Sequence, residues 1–234
     1  MKKIRFYTEI AYILGLVLLA IGTAMMEKAD FGVSMVVAPA YLVYLKLNPV
    51  FPFFSFGMAE YMLQLVLLIA LALFQRKLRL SYLFSFITAF IYGLLLDGAM
   101  AIAGMIACNA MALRLFFYLC GMVVCAAGVS MLFNTYIAPE AYELVVKEAS
   151  AALNRPVHRV KTVYDLCSCA LAVVLSFIFF GFGVFEGVKL GTIFCALVNG
   201  TLIGLCSRLW RRRMDFCDGL KLRFLFERDQ QGVK

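Results

Sequence analysis

Six stretches of the chain stay apolar for about as long as a bilayer crossing requires, roughly 20 residues. They run from Ile10 to Met26, Gly57 to Phe74, Tyr82 to Ile106, Leu113 to Phe133, Val163 to Phe185 and Leu190 to Ser207. Two further stretches have apolar centres broken by polar or helix-terminating residues. Phe31 to Leu47 follows Asp30, begins with Phe31-Gly32 and contains Pro39. Ile137 to Leu153 contains Pro139 and sets Tyr142, Leu144, Val145 and Ala149 among Glu140, Glu143, Lys147 and Glu148, a pattern that predicts an amphipathic helix. Asp30, Gly32, Pro39 and Pro139 are therefore the expected helix breaks. Each short stretch either dips into the bilayer as a half-helix or lies flat at its surface.

Composition agrees with a membrane-embedded chain. Of 234 residues, 64% are hydrophobic and 15% charged, and the mean hydropathy is +0.92. A soluble domain carries about 25% charged residues, so an ordinary water-soluble enzyme and a disordered chain are excluded. The expected organisation is one integral membrane domain over residues 1–213 with a basic cytoplasmic tail over 214–234. The first apolar run follows Lys2, Lys3 and Arg5 without a small-residue cleavage site, and is read as a retained helix.

The net charge of +8 becomes informative once the six crossings are drawn. With the N-terminus inside, 18 of the 22 Lys and Arg residues fall on the cytoplasmic side, and only Lys28, Lys46, Arg114 and Lys189 fall outside. This asymmetry predicts six crossings with both termini cytoplasmic. The basic residues are thus a topology signal and, after Trp210, a surface for anionic lipid, rather than a nucleic-acid site. The eight cysteines lie mostly within apolar runs, and with a single histidine, His158 in a basic stretch, they form neither a disulfide framework nor a zinc site. No cofactor or metal site is expected.

Self-comparison suggests a repeat, residues 10–107 against 113–208. Gly22-Thr23-Ala24-Met25 can be laid on Gly128-Val129-Ser130-Met131, Glu60 on Asp165, and Leu80-Ser81-Tyr82-Leu83-Phe84 on Leu190-Gly191-Thr192-Ile193-Phe194. Chance likeness in composition is the alternative. With three crossings each, the halves would enter the membrane from opposite sides, the inverted repeat of many secondary transporters. The fold class expected is all-α and polytopic: six transmembrane helices as two inverted three-helix repeats, each with a short broken or amphipathic half-helix.

Polar residues within the spans are costly in hydrocarbon and so carry the candidate chemistry. Glu60 and Gln64, four apart, share one helix face. Asp97, Glu140, Asp165 and Asn199 complete the candidate substrate- or ion-binding set. A structural role stands beside each function. Asp97 would sit at a frayed outer end among Gly93, Gly98 and Gly104, Asp165 at a surface favoured by its helix dipole, and Asn199 as an interhelical hydrogen-bond donor beside Gly200. No P-loop, nucleophile elbow or dinucleotide turn is present, so no enzymatic activity is expected.

Several short motifs carry a likeness: Ala29-Asp30-Phe31-Gly32-Val33-Ser34, Ala138-Pro139-Glu140-Ala141-Tyr142-Glu143-Leu144, Lys161 with Tyr164-Asp165, and Gly191-Thr192 leading to Asn199-Gly200. On these the chain resembles the bacterial YczE/YyaS/YitT-like family of multi-pass membrane proteins. The resemblance implies a six-helix fold in the bacterial cytoplasmic membrane and little about substrate. The reading that follows is a small secondary transporter or permease, its acidic cavity suited to a cation or a proton-coupled solute. The alternatives are a substrate-capture subunit of a larger transporter and a non-transporting scaffold. Expected partners are the lipid bilayer, an unknown small solute or ion, and a second copy or another membrane protein.

Overall fold

A computed structural model describes residues 4–75, 80–106, 108, 110–182 and 188–220. In chain order the elements are β1 (Ile4–Tyr7), α1 (Thr8–Ala29), α2 (Ala38–Leu47), α3 (Phe56–Gln75), α4 (Leu80–Gly104), α5 (Met111–Leu132), α6 (Ala141–Ala152), α7 (Val157–Phe180), α8 (Leu190–Arg213) and β2 (Met214–Cys217). Among the described residues six helices, α1, α3, α4, α5, α7 and α8, are long and apolar enough to cross a membrane. Each long helix is followed or preceded by short connections, and the sequence long, short, long, long occurs twice.

Helix ends follow local chemistry. Helix α1 stops where Asp30 adopts a left-handed conformation (φ 57°) and its N–H returns to the Glu27 carbonyl. Gly32 (φ 110°) then turns the chain, a geometry that L side chains avoid. Pro39 occupies the first turn of α2, where no backbone donor is missed. Helix α4 runs through Asp97 without a break. Helix α7 begins at Val157, six residues before its expected start, and so takes in His158 and Lys161. It ends at Phe180, while the expected end at Phe185 lies outside the described residues.

At the centre, α1 and α5 pack antiparallel along a seam of glycines. A Cβ on Gly22 would lie 2.7 Å from the Gly121 carbonyl oxygen, and one on Gly121 would lie 2.8 Å from that of Gly22. Gly15 and Gly128 are related in the same way, at 3.0 and 2.7 Å. Without side chains at these four positions the backbones touch, which is how helices gain dispersion contact in lipid, where burial of apolar surface gives no drive. Helix α4 packs on α1 and α3 on α4, as α8 packs on α5 and α7 on α8. Outward positions such as Ile13, Val66, Leu83, Phe116, Val174 and Leu197 are exposed, apolar and suited to lipid.

The two short helices pack among the long ones. Helix α2 contacts α3 and α7, and α6 contacts α3, α4 and α7. The irregular backbone before α6 is served by α4: Ser85 Oγ donates to the Pro139 carbonyl at 2.6 Å and Thr88 Oγ1 to that of Ala138 at 3.0 Å. Non-helical backbone within apolar surroundings needs such partners. The sequence left open whether this helix lies flat at a surface or dips inward, and its acidic start is turned inward. Glu140 and Glu143 are buried, at 2% and 3% exposure, because α6 inserts its first turn between long helices.

One feature lies outside an all-α description. Strands β1 and β2 pair in parallel, Ile4 opposite Met214 through Tyr7 opposite Cys217. The Glu9 carboxylate reinforces the junction, accepting the Leu220 N–H at 2.8 Å and the Tyr136 hydroxyl at 2.7 Å. Both ends of the described chain therefore meet on one face. The proposed tail thus opens with a paired strand, and its residues 221–234 lie outside the described ones.

Candidate functional site

Glu60 and Gln64 stand four and eight residues after the first residue of α3, and Lys161 and Asp165 stand four and eight after the first of α7. Helical periodicity puts each pair on one face, and all four side chains are at most 1% exposed. Gln64 joins α3 to α6. Its Nε2 donates to Glu140 Oε2 at 3.1 Å and to Glu60 Oε1 at 3.5 Å, while its Oε1 accepts the Ala141 N–H at 2.9 Å. The side chain therefore caps a helix to which it does not belong, serving a first-turn donor that α6 leaves open. Tyr142 completes the group by donating its hydroxyl to Glu60 Oε2 at 3.4 Å.

The second group is ionic. The Lys161 ammonium lies 2.7 Å from Glu143 Oε1 and 3.1 Å from Asp165 Oδ1, and 5.7 Å from the centre of the Tyr164 ring. Asn199 of α8 donates Nδ2 to Asp165 Oδ2 at 3.3 Å. Asp165 is thus held from two helices and is not a surface residue. Lys161, counted in the sequence as a cytoplasmic charge, is 1% exposed, because Glu143 and Asp165 compensate it inside the protein.

The two groups meet at a cavity of about 20 Å³, the room of roughly one water molecule. Its wall includes Glu140, Tyr142 and Glu143 at the start of α6, Val36 and Val37 just before α2, Thr23, Tyr92 and Cys125 of the long helices, and Lys161 and Asn199. The N-termini of both short helices thus border one space, where their dipoles favour negative charge. Burial, then the neighbouring Glu60 and Glu143 carboxylates, pushes the Glu140 carboxyl well above the ordinary range. Four acceptor atoms at the site have no hydrogen-bond partner: Asp165 Oδ1, which faces the Lys161 ammonium at 3.1 Å, and Glu140 Oε1, Glu143 Oε2 and Asn199 Oδ1.

Of the residues expected at the site, Glu140 and Asn199 line the cavity, and Glu60, Gln64 and Asp165 support those that do. Asp97 stands apart. Its carboxylate accepts Ser55 Oγ at 2.7 Å and the Gly57 N–H at 2.8 Å, holding the start of α3 from α4. Asp30 is exposed and pairs with Arg114 at 2.8 Å and with Lys189. The turn after it is clasped to α8, where Gly191 N–H donates to the Phe31 carbonyl at 3.1 Å and Thr192 Oγ1 to that of Val33 at 3.0 Å. Pro39 and Pro139 act through backbone shape at the two short helices. Lys161, Tyr142, Glu143, Thr23, Tyr92 and Cys125 line the cavity without having been among the expected site residues. The spacing of Lys161 and Asp165, identical to that of Glu60 and Gln64, is the signal that would have found the first.

Residues 6–208 match a family of unknown function, DUF6198, and the chain belongs to it. No curated protein and no solved structure matches the chain.

Proposed function

We propose that this member of DUF6198 is a small secondary transporter, or permease, in which α1–α4 and α5–α8 act as inverted halves around the central cavity. The observation that carries the reading is the cavity itself. A polar space deep among apolar helices, bordered by a buried ammonium and buried carboxyls, is expensive to keep and serves no packing purpose.

The inverted relation of the halves draws support from the glycine seam. The 106-residue offset that lays Gly22 on Gly128 also lays Gly15 on Gly121. Applied to the contact of Gly15 with Gly128, it returns the contact of Gly121 with Gly22. A pseudo-two-fold axis between antiparallel helices has this property. Equal positions of the Glu60–Gln64 and Lys161–Asp165 pairs along α3 and α7 support it further, and pair Glu60 with Lys161 rather than with Asp165. Rocking of one half on the other about the glycine seam would open the cavity to each face in turn. The proposal includes the bacterial cytoplasmic membrane as location, cytoplasmic termini, and kinship with the YczE/YyaS/YitT-like proteins.

The test is transport by purified protein in proteoliposomes. Under an imposed ion gradient, solute or ion flux should appear, and Glu140→Gln should abolish it while leaving the amount of folded protein unchanged. Absence of flux under every imposed gradient, with folded protein in the vesicles, sinks the permease reading in favour of a scaffold.

A further inference from the structure

We infer that the central cavity binds one small monovalent cation. Three of the partnerless atoms, Glu140 Oε1, Glu143 Oε2 and Asn199 Oδ1, belong to residues 2%, 3% and 5% exposed that line the same cavity. They share one chemical character, since the amide oxygen and each carboxyl in its ionised form offer lone pairs and no proton. The amide of Asn199 has its orientation set by Asp165, which takes the Nδ2 donor at 3.3 Å and leaves Oδ1 as the free end. Buried acceptors left in this state are satisfied by a donor or by positive charge.

Charge favours the second, since four buried carboxyl groups outnumber the one ammonium and the partial positive charges at the N-termini of α2 and α6. Glu60, Glu140, Glu143 and Asp165 are all buried, and Lys161 is the one buried ammonium among the described residues. A proton on Glu140 removes one negative charge but supplies a single donor, which serves one remaining acceptor. A cation in the cavity meets a space whose wall holds all three residues.

Size and valence narrow the ion. The cavity holds about one water-sized sphere, which admits a dehydrated sodium ion or ammonium and leaves no space for an organic amine. A calcium ion takes six to eight oxygen ligands, several of them carboxylate. The cavity wall offers two carboxyl groups, Glu140 and Glu143, short of that set, and the Lys161 ammonium at the same cavity repels a divalent charge more than a monovalent one. The inference takes its transport role from the permease reading, while binding itself stands independently of that reading.

The test uses the full chain purified in detergent, with equilibrium binding of radioactive sodium and the thermal unfolding midpoint measured in NaCl, NH4Cl and choline chloride at equal ionic strength. The expected result is saturable binding of one ion per chain, or a saturable rise in midpoint with NH4Cl, neither produced by choline. Sodium alone acting identifies a metal cation, and ammonium acting identifies the nitrogen cation. Affinity should fall at least tenfold in Glu140→Gln and in Asn199→Ala, and stay unchanged in Asp215→Asn, which alters an exposed residue of β2. If Glu140→Gln fails to fold, Asn199→Ala alone decides. No saturable effect of either ion, or full affinity in the folded variants, overturns the inference and leaves a resident water at the three oxygens. Binding without solute flux in proteoliposomes keeps the site and removes the permease, and flux independent of both ions does the reverse.

Discussion

Lys161 and Asp165 form an ion pair one helical turn apart on α7, 3.1 Å between charged atoms, with both side chains closed off from solvent. Glu143 approaches the same ammonium from α6 at 2.7 Å, so the pair is also the tie between a long helix and a short one. Removing the ammonium leaves two buried carboxylates facing each other. Lys161→Met should therefore cost about 3–5 kcal/mol, the range for stripping one partner from a buried pair. Adding Glu143→Gln to it should recover part of the loss. Thermal unfolding of the two variants in detergent checks both statements, and equal midpoints for the single and double variants would contradict them.

Gln64 should be unusually intolerant for an amide within a membrane helix. Gln64→Leu keeps the bulk but strands the Ala141 N–H and removes the donor to Glu140. A buried donor left unmet costs about 1–3 kcal/mol. Amide hydrogen exchange gives the more specific readout: the first turn of α6 should lose protection while α3 keeps its own. Uniform loss along both helices would contradict the capping role.

The glycine seam predicts a steep size dependence. Gly22→Val forces a branched side chain against the Gly121 carbonyl and the Cys125 backbone, and Gly121→Val does the reciprocal damage. Overpacking of this kind costs typically 1–3 kcal/mol. Gly98, which has open space where a Cβ would stand, should accept Ala with little change. The comparison of yields and unfolding midpoints among the three variants tests the contact itself.

The Glu140 carboxyl gives a pH signature. Its affinity for a proton is raised in the folded protein, by burial first and then by Glu60 and Glu143, so the folded state binds that proton more tightly than the unfolded chain does. The linkage sign is then the reverse of a salt-bridged acid: the contribution is present at low pH and is lost as pH rises above the ordinary glutamate value of about 4.3 towards the folded one. Glu140→Gln should flatten that part of the stability curve, measured as unfolding midpoint against pH with the wild type beside it. A curve unchanged by the substitution would contradict the assignment.

The long helices were legible because a run of some twenty apolar residues needs no tertiary information to be read. The same rule misplaced the start of α7. Lys161 looks aqueous in a linear pattern, and a partner that makes its burial tolerable, Glu143, stands 18 residues before it on a different helix. Glu60 and Gln64 were recognised because both lie inside an apolar run at helical spacing. What Gln64 touches was not, since the Ala141 N–H is 77 residues away and leaves no periodic trace. For α6 the moment was real, but an amphipathic pattern cannot distinguish a polar face turned to water from one turned to a buried polar site. Asp97 shows the converse error, a carboxylate in a span whose task is to hold the first turn of a neighbouring helix.

The pairing of Ile4–Tyr7 with Met214–Cys217 has a consequence for biogenesis. The first strand to leave the ribosome waits for its neighbour until the last long helix has been translated and inserted. A nascent chain arrested before Met214 carries an open backbone edge at β1, so the two strands close only after all eight helices of the described residues have been made.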